Sequence, residues 1–220
     1  MDTTAILVDG GFFKRRFKAL VKKNPDPKEM ADHLERMCKA HLRRNKEPVK
    51  LYRIFYYDCE PYLKKQTNPI TKKTVDFSKS PEAMFQTAFL DELRKRRKFA
   101  IRLGYLSDSK SWSVQPRRLK EIFQGKISFS DLKEGDVSFS LQQKGVDIRI
   151  GTDISSLAFN KLVDQIVLIS GDSDFVPAAK LARREGIDFI LDPMWNHIKP
   201  DLHEHIDGLR SIVKNPDEDP

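Results

Sequence analysis

Cysteine is scarce: only two occur among 220 residues. Cys38 and Cys59 lie far apart and fit no metal-type spacing. A disulfide scaffold and a cysteine zinc cluster are therefore excluded, and both residues are expected as free thiols in a reducing cytoplasm. Long hydrophobic runs are missing as well. The longest, around Ile166 to Ile169, is a strand's length and far below the ~20 residues needed to cross a bilayer, so no membrane partner is expected. The N-terminus has no basic start, long apolar stretch or small-residue cleavage site of the kind that marks a leader. No Walker-type glycine loop and no Gly-x-Ser-x-Gly elbow occurs. His203 and His205 have no partner cysteines, and His33 and His41 lie on a helix where packing explains them, so a zinc centre is not expected.

Positive charge is abundant. Forty Lys and Arg against 32 Asp and Glu leave a net charge of +8, with a pI near 9.4. The charge is clustered at Lys14-Arg15-Arg16, Lys22-Lys23, Arg43-Arg44, Arg94 to Lys98, and Arg117-Arg118 with Lys120. Any single run could be a solvated helix face. Several runs beside a carboxylate cluster point instead to a polyanion, bound with release of counterions. Nucleic acid is the expected partner, and whether the chain forms a homo-oligomer stays open.

Hydrophobic residues make up 39% and charged residues 33% of the chain, a balance suited to a globular protein with a buried core. Thr4 to Val8 reads as a buried strand that ends in a turn at Asp9-Gly10-Gly11. A helix is expected over Phe12 to Lys23. A second opens at Asp26-Pro27, with Met30, Leu34, Met37, Cys38, His41 and Leu42 as its apolar stripe. Val49 to Tyr57 is rich in β-branched and aromatic residues and reads as a strand. Asp58 to Ser80 reads as a loop or small insertion. Ser80-Pro81-Glu82 starts a helix whose buried face is assigned to Met84, Phe85, Ala88, Phe89 and Leu93. Phe99 to Leu106 is the next strand.

Ser107 to Gln142 reads as decoration, with a short basic helix over Pro116 to Phe123 and a hairpin. A helix over Lys144 to Lys161, a strand over Gln165 to Ser170, a helix over Phe175 to Glu185 and a strand over Asp188 to Leu191 complete the pattern. The expectation is a single α/β domain over residues 1–212 with an inserted region at about 58–142, then a frayed acidic tail at 213–220. Alternating strands and helices imply a mostly parallel sheet covered on both faces, with its site at the carboxyl ends of the strands. Asp9, Asp58 and Asp172 each follow a predicted strand.

The run Ser170-Gly171-Asp172-Ser173-Asp174 places two carboxylates two residues apart at a strand end. Extended geometry would point both to one side. Alternatively, Ser173 or Asp174 caps the following helix, in which Pro177 is tolerated in the first turn. Asp9 comes beside Asp172 if the first strand neighbours the one ending at Ser170. Two such carboxylates repel, and a hard divalent cation, Mg²⁺ or Mn²⁺, relieves the repulsion. Asp147 and Asp153 add two acids. On one continuous helix they would diverge by about 240° and roughly 9 Å, so both could not face one ion. Asp147 is favoured as a ligand, with Asp153 as a ligand or as a group that orients one. Such a set can align water for attack on a phosphodiester. Lys144, Lys14, Arg15, Arg94, Arg96 and Arg97 are the candidate substrate contacts.

Three segments, Ile6-Leu7-Val8-Asp9-Gly10-Gly11-Phe12-Phe13, Gln143-Lys144-Gly145-Val146-Asp147 and Leu168 to Pro177, resemble the bacterial NYN domain family, a branch of the PIN-like nuclease superfamily. The resemblance implies a three-layer PIN-like α/β fold and metal-dependent ribonuclease activity. It implies metal roles for Asp9, Asp147, Asp172 and Asp174, with Asp153 a further candidate. Many family members carry asparagine three positions after the first aspartate, where this chain has Phe12. Two other readings compete. One is a non-catalytic nucleic-acid- or protein-binding regulator that keeps an acidic pocket. The other, a haloacid dehalogenase-type phosphatase, requires an aspartate where the chain has Gly11.

Overall fold

The computed structural model describes residues 2–21, 25–44, 47–107 and 112–214. The Lys22-Lys23 pair and the Asn215–Pro220 tail lie outside these residues. The chain divides into two compact units, the first made of Met1–Asp58, Ala88–Gly104 and Gly145–Pro220, the second of Cys59–Thr87 and Tyr105–Lys144.

In chain order the elements begin with β1 (Thr3–Asp9), α1 (Gly10–Val21) and α2 (Pro27–His41). A short antiparallel pair follows, β2 (Arg43–Arg44) with β3 (Glu47–Pro48), and then β4 (Lys50–Cys59). Next come β5 (Lys65–Thr67), β6 (Thr74–Asp76), α3 (Pro81–Arg94), β7 (Phe99–Ser107), β8 (Trp112–Val114), α4 (Pro116–Phe123), β9 (Val137–Phe139) and β10 (Gln142–Lys144). The last part holds α5 (Val146–Phe159), β11 (Gln165–Ile169), α6 (Val176–Arg184), β12 (Asp188–Asp192), α7 (Pro200–Glu204) and β13 (Gly208–Leu209).

The first unit is built on a mostly parallel sheet in which β7, β4, β1, β11, β12 and β13 follow one another, the strands from β4 to β13 in that order all running parallel. β1 lies between β4 and β11, parallel to both, with Val8 opposite Tyr56 on one side and Ile169 on the other. Ala5 to Val8 are fully buried, as are Ile166, Leu168 and Ile169. Successive strand residues point to opposite faces, so burial at every position means that both faces of the sheet are covered. The fold is the expected mostly parallel sheet flanked by helices.

Helix α2 forms as its sequence predicts. Asp26 caps it by accepting the Glu29 N–H at 2.8 Å, and the Glu29 side chain returns to the Asp26 N–H at 3.2 Å. Met30, Leu34, Met37, Cys38 and His41 all face inward. Among the described residues, no helix is long and apolar enough to cross a membrane.

Several expectations need correcting. There is no separate turn after Asp9, because α1 begins at Gly10 itself. The face of α3 is rotated from the expected stripe. Met84 and Ala88 are exposed, while Ala83, Gln86, Phe89, Leu90 and Leu93 turn inward, Gln86 being drawn in by the carbonyl of Cys59 at 3.1 Å. Lys144 ends the strand β10, antiparallel to the last residues of β7, and α5 starts only after Gly145. In the second unit, the stretch after Asp58 holds the hairpin β5–β6. There β8 pairs with β9 around α4, and Tyr62, Phe77, Phe139 and Trp112 form an aromatic cluster.

Candidate functional site

The parallel register of β1 and β11 brings Asp9 and the Ser170–Asp174 run to one end of the sheet. Asp9 is the last residue of β1. Its Oδ1 accepts the Phe12 N–H at 3.0 Å, and its Oδ2 accepts the Ser170 hydroxyl at 3.2 Å. The close crossing of this strand end over β4 requires Gly10, where a Cβ would lie 2.6 Å from the Tyr57 carbonyl oxygen and would strike the Tyr56 hydroxyl. Burial pushes the Asp9 carboxyl above its ordinary range. The Phe12 N–H, the Ser170 hydroxyl and the charge of the exposed Arg15 oppose that push, and the Asp147 charge adds to it.

Ser170 is fully buried and links two of the acids. Its hydroxyl donates to Asp9 and accepts the Asp172 N–H at 3.3 Å. Nothing within the run Ser170 to Asp174 itself marks this serine for a role. Only the pairing of the two strand ends reveals one. Asp172 is exposed and caps a short 3-10 turn over Ser173–Phe175, its Oδ1 accepting the Asp174 N–H at 3.0 Å. The capping residue is thus Asp172 rather than Ser173 or Asp174.

Asp147 stands in the first turn of α5, behind Gly145 at a φ of 76°. Partial burial pushes its carboxyl up, and the charges of Asp172 and Asp174 add to the rise. Asp147 and Asp174 also line a groove of about 550 Å³ beside α5 and α6, with Ile148, Thr152, Pro177 and Leu181. Asp9, Asp147, Asp172 and Asp174 therefore form one electrostatically connected group. Its donors are all carboxylate oxygens, which suit a hard divalent cation; burial is the main cause of the raised Asp9 and Asp147 carboxyls, and the smaller like-charge contribution is one that such a cation would relieve. Among the described residues, three metal-type donors all within 4.8 Å of one another are found at Asp201, Glu204 and His205, and no three of the four aspartates are grouped that closely.

Asp153 is turned elsewhere. Helix α5 runs unbroken from Val146 to Phe159, so the helical separation applies. Asp153 Oδ2 accepts the Tyr57 hydroxyl at 2.8 Å and pairs with Arg102 Nε at 3.1 Å. Asp58 is likewise occupied: buried at the end of β4, it binds Lys14 Nζ at 2.6 Å and the Tyr56 hydroxyl at 2.7 Å.

The expected basic contacts divide. Arg15 stays exposed beside Asp9, whereas Lys14 is committed to Asp58. Arg94 pairs with Asp91 at 2.7 Å, and Arg96 bridges Asp32 at 2.6 Å and Glu35 at 2.5 Å. Arg97 is exposed. Lys98 donates to the carbonyl of Leu51, which lies opposite Thr4 at the start of β1. The Lys98 carbonyl accepts the Ile54 N–H at 2.9 Å, and Ile54 lies opposite Ile6, so the run ends beside β4 about three strand residues before the level of Asp9. Of its expected substrate contacts, Arg94 and Arg96 are engaged in ion pairs and Arg97 is exposed. Lys144 is exposed at the end of β10.

The family model for the NYN domain matches residues 55–203. That span contains Asp147, Asp153, Asp172 and Asp174 and begins after Asp9. No curated protein matches the chain. Among solved structures, the chain is similar to a protein of unknown function from Vibrio parahaemolyticus at 17% identity and a TM-score of 0.51, covering 96% of this chain and 93% of that one. At that identity the likeness concerns the fold.

Proposed function

Because the chain belongs to the NYN domain family, of the PIN-like nuclease superfamily, we propose that it is a metal-dependent nuclease that hydrolyses phosphodiester bonds in RNA in the cytoplasm. One observation supports this reading: the buried Ser170 ties Asp9 to the Asp172 backbone at the carboxyl end of β1 and β11, and Asp147 feels the charges of Asp172 and Asp174 and acts on Asp9. Asp9, Asp147, Asp172 and Asp174 would hold Mg²⁺ or Mn²⁺. When bound, such an ion supplies positive charge to the phosphate and lowers the pKa of a coordinated water.

The remaining work falls to the chain's own residues. The Phe12 N–H and the Ser170 hydroxyl fix the Asp9 carboxylate from two sides. Asp172 holds Asp174 in the 3-10 turn. Arg15 is exposed and its charge reaches Asp9, which supports a role in taking a phosphate oxygen of the substrate. The groove shared by Asp147 and Asp174 has an apolar wall at Ile148, Pro177 and Leu181 that suits a sugar or base of the same strand. Asp153 acts as a positioning residue, steadying α5 against Tyr57 and Arg102.

A second reading, a non-catalytic regulator that retains the acidic pocket, is favoured by Phe12. Its ring lies 2.9 Å from where a Cβ on Gly171 would be, at the position where many family members carry asparagine. Incubating the purified protein with labelled RNA and DNA, with Mg²⁺, Mn²⁺ or chelator, separates the two. The nuclease reading expects cleavage that needs metal and is lost in Asp172→Asn while RNA binding persists. Binding without cleavage under every metal condition selects the regulator.

A further inference from the structure

The loop after β12 carries a feature that the acidic group does not use. Met194 and Trp195 both adopt left-handed backbone, with φ of 46° and 60°. Residues with a side chain stay in that region only where their surroundings impose it. Here they do. Asp192 Oδ1 accepts the Met194 N–H at 2.8 Å, and Arg16 donates to the Met194 carbonyl at 2.7 and 3.1 Å. Asp192 is itself fully buried and braced by His41 Nε2 at 2.8 Å. The Trp195 N–H donates to Ser211 Oγ at 3.0 Å, and its indole Nε1–H donates to the Val213 carbonyl at 2.7 Å.

This bracing turns Met194 into the core and holds an indole outward. Met194 is fully buried, while Trp195 is 43% exposed. The next residue fixes where the loop lies. The Asn196 side-chain nitrogen sits 3.2 Å from where a Cβ on Gly171 would be, against the strand end that leads into Asp172. Beyond it, Asn196, His197, Ile198 and His203 line an open groove of about 680 Å³, within the range of small-ligand sites.

We propose that Trp195 is a stacking platform for an unpaired base of a single-stranded nucleic acid whose backbone passes the aspartate group. This rests on the nucleic-acid reading above. The indole nitrogen is already bonded to Val213, so the ring offers a π-face rather than a donor, and stacking on such a face accepts any base. The net charge of +8 and the exposed Arg15 near Asp9 suit the accompanying phosphates. Bases inside a duplex are stacked on one another and cannot reach the ring, so the platform selects single strands.

The test uses Trp112→Phe as background, which leaves Trp195 as the one remaining tryptophan. The Trp112 ring nitrogen has no hydrogen-bond partner among the described residues, so phenylalanine removes none of those bonds. In chelator, to prevent turnover, the protein is titrated with a labelled oligouridylate, an oligodeoxythymidylate and a duplex. Indole emission and oligonucleotide anisotropy are read together. Both single strands are expected to quench Trp195, with the duplex quenching it far less. Trp195→Ala should weaken single-strand binding by about tenfold or more, while Trp195→Phe keeps most of it. Melting curves confirm that each variant is folded.

Binding of the single strands with unchanged emission, or Trp195→Ala binding within about twofold of its parent, overturns the platform while leaving nucleic-acid binding intact. If the parent protein binds no oligonucleotide at all, the nucleic-acid reading fails and the platform fails with it. Quenched binding by a protein that never cleaves removes the nuclease and keeps the platform.

Discussion

Asp147 and Asp153 share one helix, and the structure predicts opposite consequences for losing each. Asp147→Ala removes a group whose charge acts on Asp9 and which is itself pressed by Asp172 and Asp174. Asp153→Ala removes the acceptor of the Tyr57 hydroxyl and the partner of Arg102. The Tyr57 side chain is fully buried, so leaving its hydroxyl unpaired costs about 1–3 kcal/mol. Arg102 is 47% exposed, and its pair adds less than about 1 kcal/mol. For a chain of this length each kcal/mol moves the melting temperature by roughly 2–4 °C, so Asp153→Ala should melt about 2–16 °C below wild type. Asp147→Ala in chelator should melt no lower than wild type, because a repelled carboxylate has been removed. The assay is thermal melting with and without Mn²⁺, alongside metal-dependent cleavage of labelled RNA. Asp153→Ala should keep the metal-induced rise and most of its activity, and Asp147→Ala should lose both. Equal loss of the metal-induced rise in the two variants would refute the assignment.

Three further outcomes follow from the geometry. Gly10→Ala places a Cβ against the Tyr57 carbonyl and the Tyr56 hydroxyl and should cost about 1–3 kcal/mol in urea denaturation, whereas Gly151→Ala, with open space around it in α5, should gain about 0.5–1 kcal/mol. His41→Leu removes the side-chain partner of the buried Asp192 carboxyl and should cost about 1–3 kcal/mol, more than Asp192→Asn, which still accepts the Met194 N–H; equal costs would contradict a stabilising role for the His41–Asp192 contact. The pH dependence has a definite sign. Asp9 and Asp147 hold protons more tightly folded than unfolded, so their stabilising contribution is complete below the unfolded value of about 3.9 and lost as pH rises through the raised folded values. In chelator, the melting temperature of wild type minus that of Asp9→Asn/Asp147→Asn should therefore fall between pH 4 and 7, and a difference independent of pH would contradict the repulsion.

Much of the architecture was legible because its signals are local. The apolar run of β1, the β-branched run of β11 and the Asp26–Pro27–Glu29 helix start each carry their own instruction, and each element formed where expected. The approach of Asp9 to the Asp172 segment was conditional on the first strand neighbouring the one ending at Ser170, a condition that the β1–β11 pairing meets. What sequence left open depends on partners far along the chain. The direction of Asp153 is set by Tyr57 and Arg102, 96 and 51 residues away. Arg96 reads as one cation in a basic run until α2 presents Asp32 and Glu35 to it. The His41–Asp192 pair joins residues 151 apart and leaves no spacing signature. The rotation of α3 turns on one glutamine drawn to the carbonyl of Cys59, a choice that apolar periodicity does not register.

The central claim is that the aspartate group hydrolyses phosphodiester bonds with a divalent ion. The most direct measurement is the rate of labelled single-stranded RNA cleavage by wild type and Asp172→Asn, in Mn²⁺, in Mg²⁺ and in chelator, with binding followed in parallel. The prediction is cleavage by wild type with metal, none in chelator, and a loss of about 100-fold or more in Asp172→Asn at similar RNA affinity. Equal cleavage by Asp172→Asn, or undiminished cleavage in chelator, would contradict it.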